Sequence, residues 1–370
     1  MTQEVLSRIE VESTARTGGL YLDDCGLTEV PEQLIHMPWL RHLSMGCNKI
    51  KTLANLGSLS ELLTLNMSVN EISELENLDA LSSLNELRLD GNHISKIKGL
   101  KHLVNLTYLD LNDNYIAEIE GLETLTKLRR LTIRENRIME IKNLDTLAEL
   151  QGLELIGNQI REMKNLDALT SLYDLEICYN RISEINGLDT LINLKYLCLH
   201  NNRLTRIQNL EALTNLDLLR LNNNQITAIE GLDTLINLRN LQLDGNRIAD
   251  IDGLQTLTKL ESLNLAGNQI TAIENLEALK ELKFFTASTN CIRSLNGLQS
   301  LTQIKQLDLS NNHIDDLKEL PDILFFPDLE VLNLYSFGIF KNNLNIPSRL
   351  YGPTKEANCL EPLRNYFAKL

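Results

Sequence analysis

Residues 241–265 read LQLDGNRIADIDGLQTLTKLESLNL, an arrangement of leucines around Asn246 that recurs along most of the chain. The asparagines that correspond to Asn246, here called marker asparagines, follow one another at a constant spacing of 22 residues. They are Asn48, Asn70, Asn92, Asn114, Asn136, Asn158, Asn180, Asn202, Asn224, Asn246, Asn268, Asn290 and Asn312. A fixed period of this size indicates units that bury their apolar sides by stacking on one another. The 370 residues are therefore predicted to form one elongated array instead of several globular domains.

The pattern inside one repeat predicts the path of its backbone. Leu241 and Leu243 flank the polar Gln242, as in a short strand with one buried face. Asn246 follows this strand and is predicted to lie inside the turn, where its amide donates to and accepts from backbone groups of neighbouring coils. In the first twelve of these repeats, the position seven residues after the marker holds only glycine or asparagine, which tolerate positive φ, so a left-handed turn is predicted there. These residues are Asn55, Asn77, Gly99, Gly121, Asn143, Asn165, Gly187, Asn209, Gly231, Gly253, Asn275 and Gly297.

This period and pattern are those of the 22-residue class of leucine-rich repeat. The predicted fold class is an α/β solenoid, a leucine-rich-repeat horseshoe with a parallel sheet on its concave face. Short helical or 3-10 turns are predicted on the convex face, and helical caps at both ends.

The two ends of the chain depart from the repeat. Residues 1–18 are predicted to be an N-terminal capping helix with Val5, Leu6 and Ile9 on one side. The array is assigned to residues 19–340, with about fifteen repeats, and a C-terminal cap with a final helix to residues 341–370. The residues predicted to share one face of that helix are Leu360, Leu363, Phe367 and Leu370.

Composition restricts the partner and the compartment. A formal net charge of −15 argues against a nucleic acid or an anionic membrane as the main partner, so a protein with a basic or mixed-charge surface is expected. The six cysteines follow neither a disulfide framework nor a C-x-x-C spacing, which favours a reducing compartment. Without a signal peptide or a long apolar run, the chain is predicted to be cytoplasmic, with the nucleus as the alternative in a eukaryotic cell.

The repeats resemble those of the nuclear and cytoplasmic regulatory subunit of protein phosphatase 1. The segments IEGLETLTKLRRLTIRENRI (residues 119–138) and IENLEALKELKFF (residues 273–285) carry this resemblance, which extends over roughly residues 40–315 by the repeat template. The resemblance implies a regulatory subunit that binds the phosphatase through acidic and aromatic residues on its concave face.

The ends of the chain resemble a second family, the leucine-rich-repeat part of bacterial Roco-type proteins. The residues that carry this resemblance are RIE (8–10), TGGLYLDDCGLTEVP (17–31), IPSRLYG (346–352) and CLEPLRNYFAKL (359–370). In those proteins such a segment can lead into a GTPase domain, but no G-x-x-x-x-G-K-[ST] phosphate loop occurs in this chain. Bacterial internalins also use 22-residue repeats, but they typically place proline where this chain has glycine or asparagine, and they carry a secretion signal.

The predicted function is a non-catalytic protein–protein interaction scaffold that binds a protein partner on the concave face. Side chains that alternate with the strand leucines point out of this face, and aromatic residues and arginines gather in its middle, as protein interfaces favour. The predicted partner-binding residues are Tyr108, Asp110, Arg130, Arg134, Glu154, Ile156, Asp174, Glu176, Tyr196, His200, Leu218 and Arg220. The alternative is that Arg130 and Arg134 pair with neighbouring carboxylates on a solvated sheet.

Other functions are disfavoured by the sequence. Cys178, Cys198 and His200 offer only three ligands on an open surface, whereas structural zinc sites use four in a closed shell, so no metal is predicted. No catalytic motif is present and the six histidines are dispersed, so neither catalysis nor a cofactor is predicted. A structural spacer without a specific partner remains the plain alternative.

Overall fold

The structure is a computed structural model that describes residues 2–314, 320–324, 326–334 and 360–367. The chain divides into two units, Met1–Arg181 and Ile182–Leu370. In both units short parallel strands are joined by tight turns, and there is little helix. The predicted leucine-rich-repeat solenoid is therefore confirmed.

The first unit begins with helix α1 (Gln3–Ala15), and a 3-10 helix (Glu32–His36) lies between its first two strands. Its eight strands are β1 (Gly19–Tyr21), β2 (His42–Ser44), β3 (Thr64–Asn66), β4 (Glu86–Arg88), β5 (Tyr108–Asp110), β6 (Arg130–Thr132), β7 (Gly152–Glu154) and β8 (Asp174–Glu176). Each strand pairs in parallel with the next, and equivalent residues of successive repeats lie side by side, as Leu109 lies beside Leu131.

The second unit continues the same pattern. Its seven strands are β9 (Tyr196–Cys198), β10 (Leu218–Arg220), β11 (Asn240–Gln242), β12 (Ser262–Asn264), β13 (Phe284–Thr286), β14 (Gln306–Asp308) and β15 (Val331–Asn333). It also contains a 3-10 helix (Leu298–Ser300) and the helices α2 (Leu320–Leu324) and α3 (Leu360–Phe367). The strand pairs run in parallel and in register from β9 to β15.

The core consists of the repeated leucines and isoleucines. The central residue of every strand is buried, and in the opening stretch Leu241, Leu243, Ile248 and Leu254 have no exposed surface. Burying one such side chain contributes about 1.5–3 kcal/mol relative to leaving it exposed. The hydrophobic columns of the repeat are therefore explained by the core.

The marker asparagines form the predicted ladder, and none is more than 9% exposed. Asn246 accepts a hydrogen bond from the backbone N–H of Ile226 in the preceding repeat at 3.0 Å. Its amide donates to the carbonyl oxygens of Leu221 at 3.0 Å and Leu243 at 2.9 Å. One side chain thus pairs backbone groups from two neighbouring repeats, which confirms the prediction.

The predicted left-handed turns are present at all twelve glycine and asparagine positions, with φ between 57° and 94°. A second column, one residue before the marker, also has positive φ and was not predicted. It contains non-glycine residues, including the β-branched Val69 (φ 53°) and Thr289 (φ 56°). Residues of this kind rarely adopt positive φ, so their amino-acid type gave no signal for this turn.

The return side of the repeats is built from turns more often than from helices. In a typical repeat, Leu125 donates to the carbonyl of Leu122 at 3.0 Å, and Leu128 donates to that of Leu125 at 2.9 Å. Steps of three residues keep these leucines on the same side, toward the core. Among the described residues, only Glu32–His36 and Leu298–Ser300 extend into 3-10 helices.

Helix α1 closes the first unit, but its buried side differs from the predicted one. Val5, Ile9 and Glu12 are buried, whereas Leu6 is 38% exposed. The spacing of 5, 9 and 12 follows one stripe of an α-helix, and residue 6 lies about 100° away from residue 5. The buried side of α1 therefore contains Glu12 in place of the predicted Leu6.

The carboxylate of Glu12 holds the chain where α1 turns into β1. Its oxygens accept hydrogen bonds from the backbone N–H groups of Thr17 and Gly18, at 3.2 and 2.9 Å, and from the hydroxyl of Thr17. They also accept one from the indole of Trp39 at 3.3 Å. Burial alone would raise the pKa of Glu12, but these hydrogen bonds outweigh it and lower the pKa. The cap is therefore stabilised by an ionised glutamate.

Replacing Glu12 by glutamine is expected to destabilise the cap by about 1–3 kcal/mol at neutral pH, because an amide NH2 cannot accept the hydrogen bonds made to one oxygen. Since the folded-state pKa is lowered, the wild-type advantage is complete above the ordinary glutamate pKa of about 4.3. It is lost as the pH falls through the lowered pKa. Urea unfolding followed by fluorescence of Trp39, the single tryptophan, measures both effects.

The matched control for this prediction is Glu10→Gln, on the exposed side of α1. It should behave like wild type at both neutral and acid pH. An E12Q protein whose difference from wild type did not change with pH would contradict the role of the ionised carboxylate.

The final helix of the second unit occurs as α3. Leu360 and Leu363 are buried, as predicted, and the guanidinium of Arg364 donates to the carbonyl of Leu324 in α2 at 2.7 Å. The side chain of Phe367 and residues 341–359 and 368–370 lie outside the described residues. The domain boundaries at residues 18 and 340 stay predictions. In the described parts of the chain, no helix has the length and apolar character needed to cross a membrane.

Candidate partner-binding face

The first and third residues of each strand, and the residue two before each marker, form what is here called the outward face of the sheet. The middle residue of each strand points into the core, so its neighbours on either side point away from it. In the first unit, the predicted site residues of this face lie on or after β5 to β8. In the second unit, they lie on or after β9 and β10.

Five predicted residues of the first unit meet in one place, here called the arginine–carboxylate cluster: Arg130, Arg134, Glu154, Asp174 and Glu176. Glu154 is its centre and is only 2% exposed. The guanidinium groups of Arg130 and Arg134 both donate hydrogen bonds to the carboxylate of Glu154. Asp174 lies 3.7 Å from Arg130, and Glu176 lies 3.7 Å from Arg134.

A glycine lies under the side chain of Arg130. Gly152 stands beside Arg130 in the register, on the strand that carries Glu154. A Cβ atom at Gly152 would lie 3.5 Å from Cγ of Arg130 and 3.8 Å from Cζ. These distances are ordinary van der Waals contacts, so Arg130 packs over the backbone of Gly152 on its way to Glu154 and Asp174 and does not depend on the absence of a side chain there.

The charges of the cluster do not cancel. Three carboxylates face two guanidinium groups, so its formal charge is 2 − 3 = −1. The hydrogen bond to Glu154 raises the pKa of Arg130. Burial first, and the neighbouring carboxylates in addition, raise the pKa of Asp174 and of Glu176. Both outer carboxylates are thus only partly compensated by the arginines.

The pairing that was considered as the alternative is therefore present, yet it leaves surface for a partner. The side chains of Arg130 and Arg134 remain 42% and 40% exposed. Glu154, which the sequence placed among the contact residues, has almost no surface to offer. Its role in this arrangement is to fix both arginines, because an unpaired buried carboxylate would be costly.

Tyr108 and Asp110 form a smaller group on β5. The phenol of Tyr108 donates to Asp110 at 3.1 Å, and the backbone N–H of Asn112 donates to the same carboxylate at 3.1 Å. Burial is the main cause that raises the pKa of both Tyr108 and Asp110. The guanidinium of Arg88 lies 5.6 Å from the centre of the Tyr108 ring. Ile156 is half-buried beyond β7.

The predicted residues of the second unit are Tyr196, His200, Leu218 and Arg220. Tyr196 is 37% exposed and stands beside Leu218 in the register, while Arg220 stands beside Cys198 and is exposed. Burial, followed by the charge of Arg220, lowers the pKa of His200, which favours the neutral imidazole. Among the described residues, no group of three or more His, Cys, Asp or Glu side chains could hold a metal ion.

Two features of the outward face were missed by sequence reasoning. On β1 to β4 a chain of hydrogen bonds links neighbouring polar side chains, which are Asp23, Ser44, Asn66, Ser68 and Asp90. On β13, Phe284 is 41% exposed. The sequence could have indicated this residue, because the equivalent positions of the two neighbouring repeats hold the polar Ser262 and Gln306.

A 22-residue period, one short parallel strand per repeat and a buried asparagine ladder define a leucine-rich-repeat protein. The family model described as Leucine Rich repeats (2 copies) matches residues 104–149, 192–234 and 236–278. No curated protein sequence matches the chain.

Similar solved structures include an internalin (inlF) from Listeria monocytogenes. It is 27% identical with a TM-score of 0.76, over 84% of this chain and 95% of the internalin. A leucine-rich-repeat protein of Leptospira interrogans is 26% identical with a TM-score of 0.76, over 83% of this chain and 81% of that protein. TLR13, solved as a complex with ssRNA13, is 22% identical with a TM-score of 0.68, over 83% of this chain and 46% of TLR13.

These neighbours correct one expectation from the sequence. Internalins were set aside because proline is absent from the glycine and asparagine column, yet an internalin is among the similar structures. In this chain the column is occupied by asparagine and glycine with positive φ, a conformation that proline does not adopt, and the overall fold is nevertheless similar. The comparisons point to internalins and leucine-rich-repeat receptors and not specifically to phosphatase regulators or Roco proteins.

Proposed function

We propose that this chain is a non-catalytic scaffold that binds a protein partner on the outward face of its sheet. One observation carries this proposal. The leucines, the marker asparagines and the positive-φ column are accounted for by core, ladder and turn, so the outward side chains are left to distinguish one repeat from another. Repeat proteins of this kind bind through such extended faces, and leucine-rich-repeat folds are generally non-catalytic.

The arginine–carboxylate cluster, with Tyr108 and Asp110 beside it, is the proposed contact region of the first unit. Its two arginines are held in place before binding, which reduces the entropy cost of forming an interface. Its formal charge of −1 and the partly compensated Asp174 and Glu176 favour a partner with basic or mixed-charge groups. Tyr196, His200, Leu218 and Arg220 are the proposed contacts of the second unit.

The choice of a protein over a nucleic acid rests on charge and not on fold. TLR13 shares the fold and was solved with an RNA, so the fold alone does not decide the class of partner. The net charge of −15 works against binding a phosphate backbone, which rewards Lys and Arg with counterion release.

Reversing three charges, with Arg130→Glu, Arg134→Glu and Arg220→Glu together, is expected to lower the capture of the native partner at least about tenfold. The acidic groups of a mixed-charge partner that contact these arginines would then face like charges, which cost several kcal/mol across an interface. Quantitative mass spectrometry of proteins retained by the purified chain measures this. The matched control reverses three return-side lysines, Lys101, Lys127 and Lys259, and should retain the partner.

Because the first two reversals bring like charges to Glu154, circular dichroism must show that the variant is folded. Arg220→Glu alone, which disrupts no ion pair in the described residues, provides the second test. Equal capture by wild type, the single variant and the folded triple variant would remove these arginines from the site.

Three alternatives give different results in the same experiment. A phosphatase-1-type regulatory subunit, the alternative suggested by the repeat sequences, would retain the phosphatase catalytic subunit. A leucine-rich-repeat module of a Roco-type protein, suggested by the ends of the chain, would retain components of a GTPase pathway. A structural spacer would retain no protein in a saturable manner.

A further inference from the structure

The outward faces of the two units differ in how far their polar side chains are already used. In the first unit they bond to one another. Ser44 donates to Asp23 at 2.5 Å, Asn66 donates to Ser44 at 3.0 Å, and Ser68 donates to Asn66 at 2.6 Å. The arginine–carboxylate cluster adds its own hydrogen bonds. Much of the hydrogen-bonding capacity of this face is therefore satisfied within the chain.

On strands β10 to β14 of the second unit, fewer of the outward polar side chains are hydrogen-bonded within the chain. Two outward pairs are bonded there, Gln242 to Asn240 at 2.6 Å and Asn264 to Asp244 at 2.9 Å. Other outward side chains form no hydrogen bond or ion pair within the part of the chain that the structure describes, namely Asn222, Ser262, Thr286, Ser288 and Gln306. Their amides and hydroxyls can each both donate and accept.

This face is also nearly free of charge. Across β10 to β14 and the positions two before their markers, the charged residues are Arg220, Asp244 and Asp308. Asp244 is already bonded to Asn264, and Asp308 accepts a hydrogen bond from the backbone N–H of Ser310 at 2.9 Å. A charged group pressed against the remaining amides and hydroxyls would lose water without gaining a counter-ion, so the face disfavours charged ligands.

Apolar side chains stand in the same outward column. Phe284 is 41% exposed on β13, between Ser262 of β12 and Gln306 of β14. Leu218, at the equivalent position of β10, is half-buried. An exposed phenylalanine with unpaired amides and hydroxyls around it combines a hydrophobic anchor with adaptable hydrogen bonds, the combination found at interface centres.

We propose that the outward face of β10 to β14, here called the neutral face, binds an extended and uncharged polypeptide segment of a protein partner. The backbone of an extended segment presents N–H and C=O groups without internal partners, which match side chains that donate and accept. Phe284 packs against an apolar side chain of the segment. This inference rests on the proposed function in that the ligand is a protein, but it does not require the arginine–carboxylate cluster.

The test uses the full chain and a phage-displayed library of random linear peptides. Enriched peptides should have little net charge and contain at least one large apolar residue. Their affinity should change less than about twofold between 0.1 and 1 M salt, over which the Debye length falls from about 10 to about 3 Å. The double variant Asn222→Ala, Phe284→Ala should weaken binding about tenfold or more. The control Ile236→Ala, which removes another exposed apolar side chain (52%) of the same unit, should not.

Three other outcomes of the peptide selection would overturn the inference. Enriched peptides that are basic, sensitive to salt and dependent on Asp174 and Glu176 would contradict binding at the neutral face while supporting the proposed function. Peptides that depend on no outward residue of either unit would argue against both. Failure to enrich any peptide, or binding of a neutral oligosaccharide on a glycan array that is lost in the double variant, would exclude a polypeptide at the neutral face.

Discussion

Replacing Asn224 by leucine is expected to lower the free energy of unfolding by about 3–6 kcal/mol, since each buried group left unpaired costs about 1–3 kcal/mol. Asn224 is 8% exposed and accepts from the backbone N–H of Leu204 at 3.0 Å. Its amide donates to the carbonyl oxygens of Leu199 at 3.1 Å and Leu221 at 3.0 Å. A leucine fills the space but pairs none of these three groups, and its apolar surface only partly offsets the loss.

The same substitution two residues earlier provides the control. Asn222 lies on the outward face, and its side chain makes no hydrogen bond among the described residues, so Asn222→Leu should change stability by less than about 0.5 kcal/mol. Urea unfolding followed by circular dichroism compares the two variants. Hydrogen exchange adds a local measurement, because the amide of Leu204 should exchange faster in Asn224→Leu alone. Equal midpoints for both variants would refute the structural role given to the ladder.

The features of the fold that recur from repeat to repeat, the asparagine ladder and the left-handed turn, were predictable from the sequence. Asn246 and its equivalents could be placed inside the turn because a polar residue kept at one position between apolar ones must satisfy backbone groups. The left-handed turn was predictable because Asn143 and Gly121 are the residue types that tolerate positive φ. In both cases the structural requirement, pairing buried backbone groups or adopting positive φ, restricts which residue types can occupy the position.

The features that were missed depend on geometry that residue type does not encode. Val69 and Thr289 take positive φ although their β-branched side chains disfavour it. Their conformation is imposed by the stacked coils and not by their own preference. Glu12 likewise looks like an exposed helix residue, and only the position of Thr17, Gly18 and Trp39 makes it a buried acceptor.

For the candidate site, the sequence identified which residues face outward but not how they are paired. Arg130 and Arg134 were placed on the outward face, yet their convergence on Glu154 depends on side-chain conformations that the residue types do not specify. Asn222 and Thr286 are neither charged nor aromatic, and an unpaired amide or hydroxyl is recognisable only when its neighbours are known. The repeated columns therefore carry information about the fold, whereas side-chain pairing on the outward face decides what is left for a partner.

Substitutions at Gly121 are expected to follow an order that ordinary side-chain size does not predict, with valine worst, alanine intermediate and asparagine mildest. Gly121 has φ 70°, and an added Cβ would lie 2.5 Å from the carbonyl oxygen of Ile97 in the preceding repeat. Alanine should cost about 2–4 kcal/mol, because the left-handed conformation alone costs roughly 1–2 kcal/mol for a side-chain-bearing residue and the carbonyl must also move. Valine adds a second branch in the same place.

Asparagine is larger than alanine, yet the chain itself shows how it fits. Asn143 occupies the same column one repeat later with φ 58°, and its amide donates to the carbonyl oxygen of Ile119 at 2.7 Å. In Gly121→Asn the amide should bond the carbonyl of Ile97 in the same way, and one such bond returns about 1 kcal/mol. Thermal unfolding of the three variants, measured by circular dichroism, tests this order. The control is Gly57→Ala, because an added Cβ at Gly57 would meet nothing within 4 Å. An asparagine variant as unstable as the valine variant would show that the side-chain hydrogen bond does not stabilise this turn.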